Sequence, residues 1–335
     1  MELVEKTNSN AMNTLQLVAQ SKSKEDILQQ TFAEDVEQTL KLMKRAERKH
    51  TRRTSISLSD SSNDDNGKKK AKKVSKKVKE ADRLRTEYQT QLEPHQYGEV
   101  KGIGNDKAYK YYDKIGMANV SKETTHRLIT ELSSMATNLP LHWNSSVFIN
   151  VDPTNICVMQ ALITGPAKTP YANGCFLFDV YCGPRYPQGP PLVNLQTTGY
   201  GRVRFNPNLY KCGKVCLSLL GTWKGAQNEQ WNPETSTLLQ VFVSIQALIF
   251  VEHPYFNEPS YERWIGTPMG WVSSRAYNEN IKPETVRYGM VDMLRKPPLG
   301  FEEIIRTHFT LKKKEILQQM TKWEREQVHK KNSLR

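Results

Sequence analysis

Four short apolar runs follow one another between residues 147 and 197, and this succession limits the folds open to the chain more than any other feature. Val147–Val151, Ile156–Ile163 and Cys175–Tyr181 are rich in β-branched and aromatic residues, and Leu192–Thr197 follows Pro190-Pro191. Phe176, Phe178 and Val180 fall on one face of the third run by alternation. Gly165-Pro166 and Asn173-Gly174 supply turn residues between the second and third. The runs therefore read as an antiparallel four-stranded meander.

Helical patterns flank it. Leu128, Leu132, Met135 and Leu139 mark one face of a helix predicted over 121–139, which Pro140 ends. Residues 235–251 are strongly apolar, and two more helical stretches are predicted near 283–294 and 301–329. In the last, Ile305, Phe309, Ile316, Met320 and Trp323 form a stripe expected to pack on the core. Strands in one run with helices on either side argue for an α+β fold, not a doubly wound parallel sheet.

Three regions follow from composition: a largely disordered or helical basic appendage over 1–105, a core over 106–300 and a C-terminal helical extension over 301–335. In the appendage, Ile27, Phe32, Val36, Leu40 and Met43 suit one amphipathic helix between 24 and 49. A Ser/Asp/Asn stretch at 54–67 has too little apolar surface to stay ordered. Residues 81–92 suggest a second short helix. The net charge of +13 is spread as +5 over 1–105 and +4 over each of the other two regions. Its one concentration is Lys68–Lys79, with eight lysines and no acid. Such a run fits nuclear import or an acidic partner such as nucleic acid, although a solvated, disordered charge run explains it as well.

With 37% hydrophobic residues and a mean hydropathy of −0.65, part of the chain is not expected to pack. No stretch reaches eighteen apolar residues, so no membrane-spanning helix is predicted. The first residues lack a basic stretch followed by an apolar run, so no secretory signal is expected. An odd five cysteines argues against a disulfide framework and for a reducing compartment, the cytosol or the nucleus.

The segment with the most chemistry in it is Phe205-Asn-Pro-Asn-Leu-Tyr-Lys-Cys-Gly-Lys-Val-Cys-Leu-Ser-Leu-Leu220, a Pro/Asn/Gly-rich loop with two cysteines. Arg202, Arg204, Lys211 and Lys214 flank them, and cations favour the reactive thiolate. Side-chain amides of asparagine can donate to a developing oxyanion, worth on the order of 3 kcal/mol. By residue type alone, Cys212 and Cys216 could equally be structural thiols or half of a metal site. Cysteines at 157, 175, 182, 212 and 216 offer no second close pair, so no structural zinc is expected. Cys157 and Cys175 read as core residues.

Residues from about 120 to 265 resemble the catalytic core of ubiquitin-conjugating enzymes. The resemblance rests on four motifs in order and spacing: Met159–Phe176 with its Gly-Pro turn and Pro-Tyr-x-x-Gly, Tyr186-Pro-Gln-Gly-Pro-Pro191, Asn206-Pro-Asn208 with Cys216 eight residues on, and Trp231-Asn-Pro233. More narrowly, residues 169–175, 205–210 and 254–259 resemble the conjugating domain of the giant baculoviral-IAP-repeat ubiquitin ligases (BRUCE/Apollon type), to about residue 325. The Cys-x-x-Cys of a baculoviral repeat does not occur here.

The resemblance implies that Cys216 accepts ubiquitin as a thioester from an activating enzyme and passes it to a lysine of a protein substrate. No cofactor is expected, ATP being used by the activating enzyme. Asn208 matches the motif asparagine, expected either to support the loop or to stabilise the oxyanion. Asn206 replaces the motif histidine, whose part is mainly to shape the loop. Glu258, with Asn257 before it, falls at the acidic position across the cleft that orients and deprotonates the attacking amine. Gln188 and Glu234 stand where the family favours apolar and small residues for docking a RING ligase, and residues 221–229 add a loop with Trp223 beside the active site. These three departures imply transfer without a separate ligase. A non-catalytic ubiquitin-binding scaffold of the same fold is the alternative.

Overall fold

The computed structural model describes residues 67–116 and 120–333, with side chains from 79 to 326, and in addition Glu34 and Glu37. Apart from those two glutamates, the expected helix over 24–49 lies outside the described residues, as does the stretch at 54–66. The described chain opens with α1 (Gly67–Leu92), a short strand β1 (Tyr97–Glu99) and α2 (Lys122–Asn138). After a two-residue strand β2 (Leu141–His142), the four apolar runs form β3 (Ser145–Asp152), β4 (Asn155–Thr164), β5 (Cys175–Tyr181) and β6 (Leu192–Leu195). Successive members of β3 to β6 pair antiparallel, with Phe148 opposite Leu162, Ile163 opposite Phe176 and Val180 opposite Val193. β1 adds to the outer edge of β3 in parallel.

Alternation explains how this sheet is buried on both faces. Val147, Ile149, Ala161, Ile163, Phe176, Phe178 and Val180 point into one core with Leu128, Leu132 and Met135 of α2. Ser121 starts α2 by accepting the Thr124 N–H at 3.0 Å, and the chain turns out of it before Pro140. The same core takes Leu238, Val241 and Phe242 of α3 (Leu238–Ser244), which runs on as a π-helical turn to Ile249. A buried carboxylate fixes this layer. Glu131 accepts from Arg127, from the Tyr186 hydroxyl at 2.6 Å and from the Leu238 N–H at the start of α3 at 2.7 Å.

The opposite face, with Phe148, Leu162, Cys175 and Leu177, is covered by a second helical layer. It consists of α4 (Pro268–Glu284), its π-helical continuation Thr285–Val291, α5 (Asp292–Arg295) and α6 (Glu302–Ser333), with α1 beside α6. The stripe expected in the last helix is buried here, together with Phe301 and Ile304.

Two sequence expectations change. The boundary drawn at residue 105 falls inside the packing: Tyr88 and Leu92 are fully buried in the second core, Ile103 lies in the first, and β1 extends the sheet. Composition missed this because the apolar residues of 80–105 are few and well separated. The helix foreseen over 81–92 begins at Gly67, so the lysine run is helical in backbone, not disordered. Lysine is a fair helix former, and the docked C-terminal half supplies the nucleus from which the rest propagates. Among the described residues, no helix is long and apolar enough to cross a membrane.

Leu92→Ala and Phe309→Ala, one in each helix of the α1–α6 pair, are each expected to lower the unfolding free energy by about 2–5 kcal/mol. The urea midpoint measures it. A change under about 0.5 kcal/mol in both, the range of ordinary surface substitutions, would mean that α1 and α6 are not part of the cooperative core.

Candidate active site

After β6 the chain builds a tongue of short bridges. Asn194 pairs with Lys214, and Leu209 pairs with both Asn206 and Val215. Its tip is a tight turn in which the Gly213 N–H donates to the Tyr210 carbonyl at 2.9 Å and the Tyr210 N–H to the Lys214 carbonyl at 3.0 Å. Gly213 has φ +84°, and a Cβ there would sit 2.3 Å from the Leu195 carbonyl oxygen. Glycine is the residue that allows the tongue to lie this close to β6.

The root of the tongue is organised by Asn206, which is fully buried. Its Nδ2 donates to the Ile249 carbonyl at the end of the α3 π turn (2.7 Å) and to the Tyr171 hydroxyl (3.1 Å). Its Oδ1 accepts from the Asn208 backbone N–H (2.8 Å) and from Nδ2 of Asn257 (3.4 Å). Tyr171 in turn donates to the Phe205 carbonyl at 2.7 Å. One side chain thus ties together the β4–β5 loop, α3, the tongue and the segment before Glu258.

Asn208 and Cys216 face each other across the tongue. The Cys216 N–H donates to the Asn208 carbonyl at 2.8 Å, and Nδ2 of Asn208 donates to the Cys216 carbonyl at 2.9 Å. Of the two parts foreseen for Asn208, loop support is the one its contacts display. Its Oδ1 is buried without a partner.

Cys216 is 2% exposed, whereas Cys212 lies exposed on the turn. Burial pushes the Cys216 thiol up, and the Lys214 ammonium, a hydrogen bond from the Tyr210 hydroxyl and the Arg204 guanidinium oppose that rise. Of the four cations that flank the loop in sequence, Arg202 and Lys211 do not figure among these influences. Tyr210 is flanked by the other two, with Arg204 4.7 Å and Lys214 5.8 Å from its ring centre.

Glu258 reaches this group through Arg204, whose Nη2 lies 3.2 Å from its carboxylate. Asn257 reaches it through Asn206 and also donates to the Leu248 carbonyl at 3.0 Å. All four candidates, Cys216, Asn208, Glu258 and Asn257, are therefore brought to one loop system. Sequence reasoning gave no role to Tyr171, and noticed Tyr210 only as part of a motif. The signal for Tyr210 was its position between two cations that converge on one sulfur. Among the described residues, no group of three or more His, Cys, Asp or Glu could hold a metal ion.

Two neighbouring surfaces also take shape. Trp231 donates its indole N–H to the Pro187 carbonyl at 2.7 Å, which joins the 184–191 loop to the start of the 231–234 turn. Gln188 and Glu234, on these two loops, are exposed, and Trp223 is half-buried.

The arrangement predicts an order of reactivity toward iodoacetamide. Cys212 is expected to be alkylated first, and Cys216 slowly, with a rate that still rises above the ordinary thiol range because its thiolate forms later. Peptide mass mapping over a pH series measures both. Equal labelling of the two at pH 7 would contradict the burial described.

Residues 127–282 match the family model for the ubiquitin-conjugating enzyme. The chain is 52% identical over 217 residues to the human dual E2 ubiquitin-conjugating enzyme/E3 ubiquitin-protein ligase BIRC6, which covers 64% of this chain and 4% of that protein. It is 48% identical over 202 residues to the probable ubiquitin-conjugating enzyme protein 17 of Caenorhabditis elegans, covering 60% of this chain and 28% of the relative. It is 41% identical over 197 residues to the putative ubiquitin-conjugating enzyme E2 38 of Arabidopsis thaliana, covering 59% of this chain and 58% of the relative. The chain spans less than two thirds of the length of each. The α+β fold, the tongue with Cys216 and these matches together show that this chain belongs to the ubiquitin-conjugating enzyme family.

Proposed function

We propose that the chain is a ubiquitin-conjugating transferase that accepts ubiquitin as a thioester on Cys216 and passes it to a lysine of a protein substrate. The observation that carries this reading is the setting of Cys216: a thiol shielded from water on a rigid tongue, with two cations and a phenol arranged around its sulfur. Shielding protects a thiol from oxidation, and the cations and hydroxyl keep its anion accessible.

In the first half-reaction the Cys216 thiolate attacks the thioester carbonyl of ubiquitin held on the activating enzyme. A C–S bond to Cys216 forms, the bond to the activating enzyme's sulfur breaks, and the proton from Cys216 balances the thiolate released. ATP is consumed upstream, so this chain requires no cofactor of its own. In the second half-reaction an amine attacks, the new C–N bond forms and Cys216 leaves. An amine with a free pKa of about 10.4 is almost wholly protonated at pH 7, so it needs an acceptor for its proton. Glu258, half-exposed at the rim, is the carboxylate offered to it. Asn208 keeps Cys216 presented, and its amide is near enough to serve the oxyanion once the loop carries a thioester.

The exposed polar side chains of Gln188 and Glu234 favour a further reading, transfer without a separate RING ligase. An apolar docking face would have to desolvate both. The cytosol or nucleus suits a chain with five free cysteines. A nucleic-acid role for the lysine-rich part of α1 is at most secondary to this activity.

A charging assay tests the proposal. With activating enzyme, ATP and ubiquitin, a reductant-sensitive species one ubiquitin heavier is expected, absent in Cys216→Ala and reductant-resistant in Cys216→Ser. Glu258→Gln is expected to charge normally and to discharge to free lysine about 10²-fold more slowly. No charging by the wild type, with ubiquitin bound non-covalently, would favour the scaffold instead. Discharge only upon addition of a RING domain would remove the ligase-independent reading.

A further inference from the structure

Arg204 occupies a position that neither the loop motif nor the family match assigns. Its guanidinium touches three parts of the site at once. Nη2 donates to the Pro207 carbonyl at 2.7 Å, which anchors it to the root of the tongue. The same nitrogen lies 3.2 Å from the Glu258 carboxylate, and the guanidinium carbon lies 4.7 Å over the Tyr210 ring. Tyr210 carries the hydroxyl that bonds the Cys216 thiol. The Nε N–H of Arg204 is buried and has no acceptor. A buried donor left unpaired costs on the order of 1–3 kcal/mol, so its retention calls for a functional reason.

These contacts join the nucleophile and the candidate proton acceptor through one side chain. Stacking on Tyr210 fixes where the phenol points, and hence the hydrogen bond that favours thiolate. The ion pair with Glu258 spans a half-exposed rim, where it would contribute little to folding, at most about 1 kcal/mol. Its consequence is geometric: a mobile glutamate is held over the cleft at a set distance from the sulfur.

We infer that Arg204 is a positioning residue for both half-reactions, aligning Tyr210 on Cys216 for charging and Glu258 over the cleft for discharge. This rests on the reading that Cys216 carries ubiquitin and that Glu258 receives the amine proton. Fork geometry is essential to the second task, because a lysine ammonium has no planar set of donors to grip a carbonyl and a carboxylate while lying flat on a ring. Positive charge suffices for the first.

Three variants separate these tasks in single-turnover assays run from pH 6 to 9, with charging and discharge to free lysine timed separately. Arg204→Gln is expected to move the rise of the charging rate to higher pH, since the thiolate loses an opposing cation, and to slow discharge about tenfold. Arg204→Lys is expected to restore the charging profile and leave discharge slow. Tyr210→Phe is expected to shift charging as Arg204→Gln does, with discharge unchanged. A purely structural arginine would lower both rates uniformly, without moving the pH profile and without rescue by lysine, and that result overturns the inference. So does wild-type behaviour of Arg204→Gln. Failure of the underlying reading is distinct: the unmodified protein would then form no thioester at all.

Discussion

The site depends on one buried amide. Asn206 is surrounded by groups that could not be left unpaired without cost: the last carbonyl of the α3 π turn, the Tyr171 hydroxyl and the Asn208 N–H. Each such group abandoned inside the protein would cost on the order of 1–3 kcal/mol. An asparagine satisfies them together because it presents a donor and an acceptor from one planar head. Histidine, the residue the family favours there, also offers one ring nitrogen on each side. The exchange therefore keeps the loop's architecture while changing the side chain. Everything chemical at the tongue, including the opposition of Asn208 and Cys216, is set by this root.

The root is itself held from behind. Tyr171 belongs to the β4–β5 loop, and the neighbouring residues of that loop are gripped by α6: Asn173 donates to Gln319 at 2.8 Å, and Gln319 donates to the Ala172 carbonyl at 3.0 Å. His308, buried between Tyr88 and the Asn173 carbonyl, has its basicity lowered to about 3 by burial and by Lys312, so it serves as a neutral hydrogen-bonding link. Lys312 is itself buried and donates to the Trp143 carbonyl at 2.6 Å. A physical path thus runs from the terminal helix through the β4–β5 loop to Asn206. The last helix and α1 are in this sense part of the catalytic scaffold, even though they lie on the far face of the sheet.

Much of this was legible in sequence. Period-two runs located the sheet, and the four-three-four spacing located α2, because both signals come from side chains that must alternate or recur to be buried. Tyr88 and Leu92 were not legible: they are isolated apolar residues in a charged helix, and their burial depends on a partner more than two hundred residues away. Spacing within a motif identified Cys216 over Cys212, and the structure gives them opposite exposures. Arg204 and Lys214 could be named as nearby cations, but not told apart from Arg202 and Lys211, since direction in a loop follows from backbone geometry that residue type does not encode. The bond from Tyr171 to the tongue was equally hidden, being a contact between segments 34 residues apart.

The central claim is that Asn206 organises the tongue that presents Cys216. Amide hydrogen exchange of Asn206→Leu against the unmodified protein tests it most directly, since leucine has a similar size and cannot pair the three groups. Exchange is expected to speed up at the Asn208, Leu209 and Cys216 N–H groups, by about tenfold or more for a loss near 1.4 kcal/mol, while β3 to β5 keep their protection. Unchanged protection across residues 206–217 would contradict the account, and the order of the tongue would then have to come from its own bridges to β6.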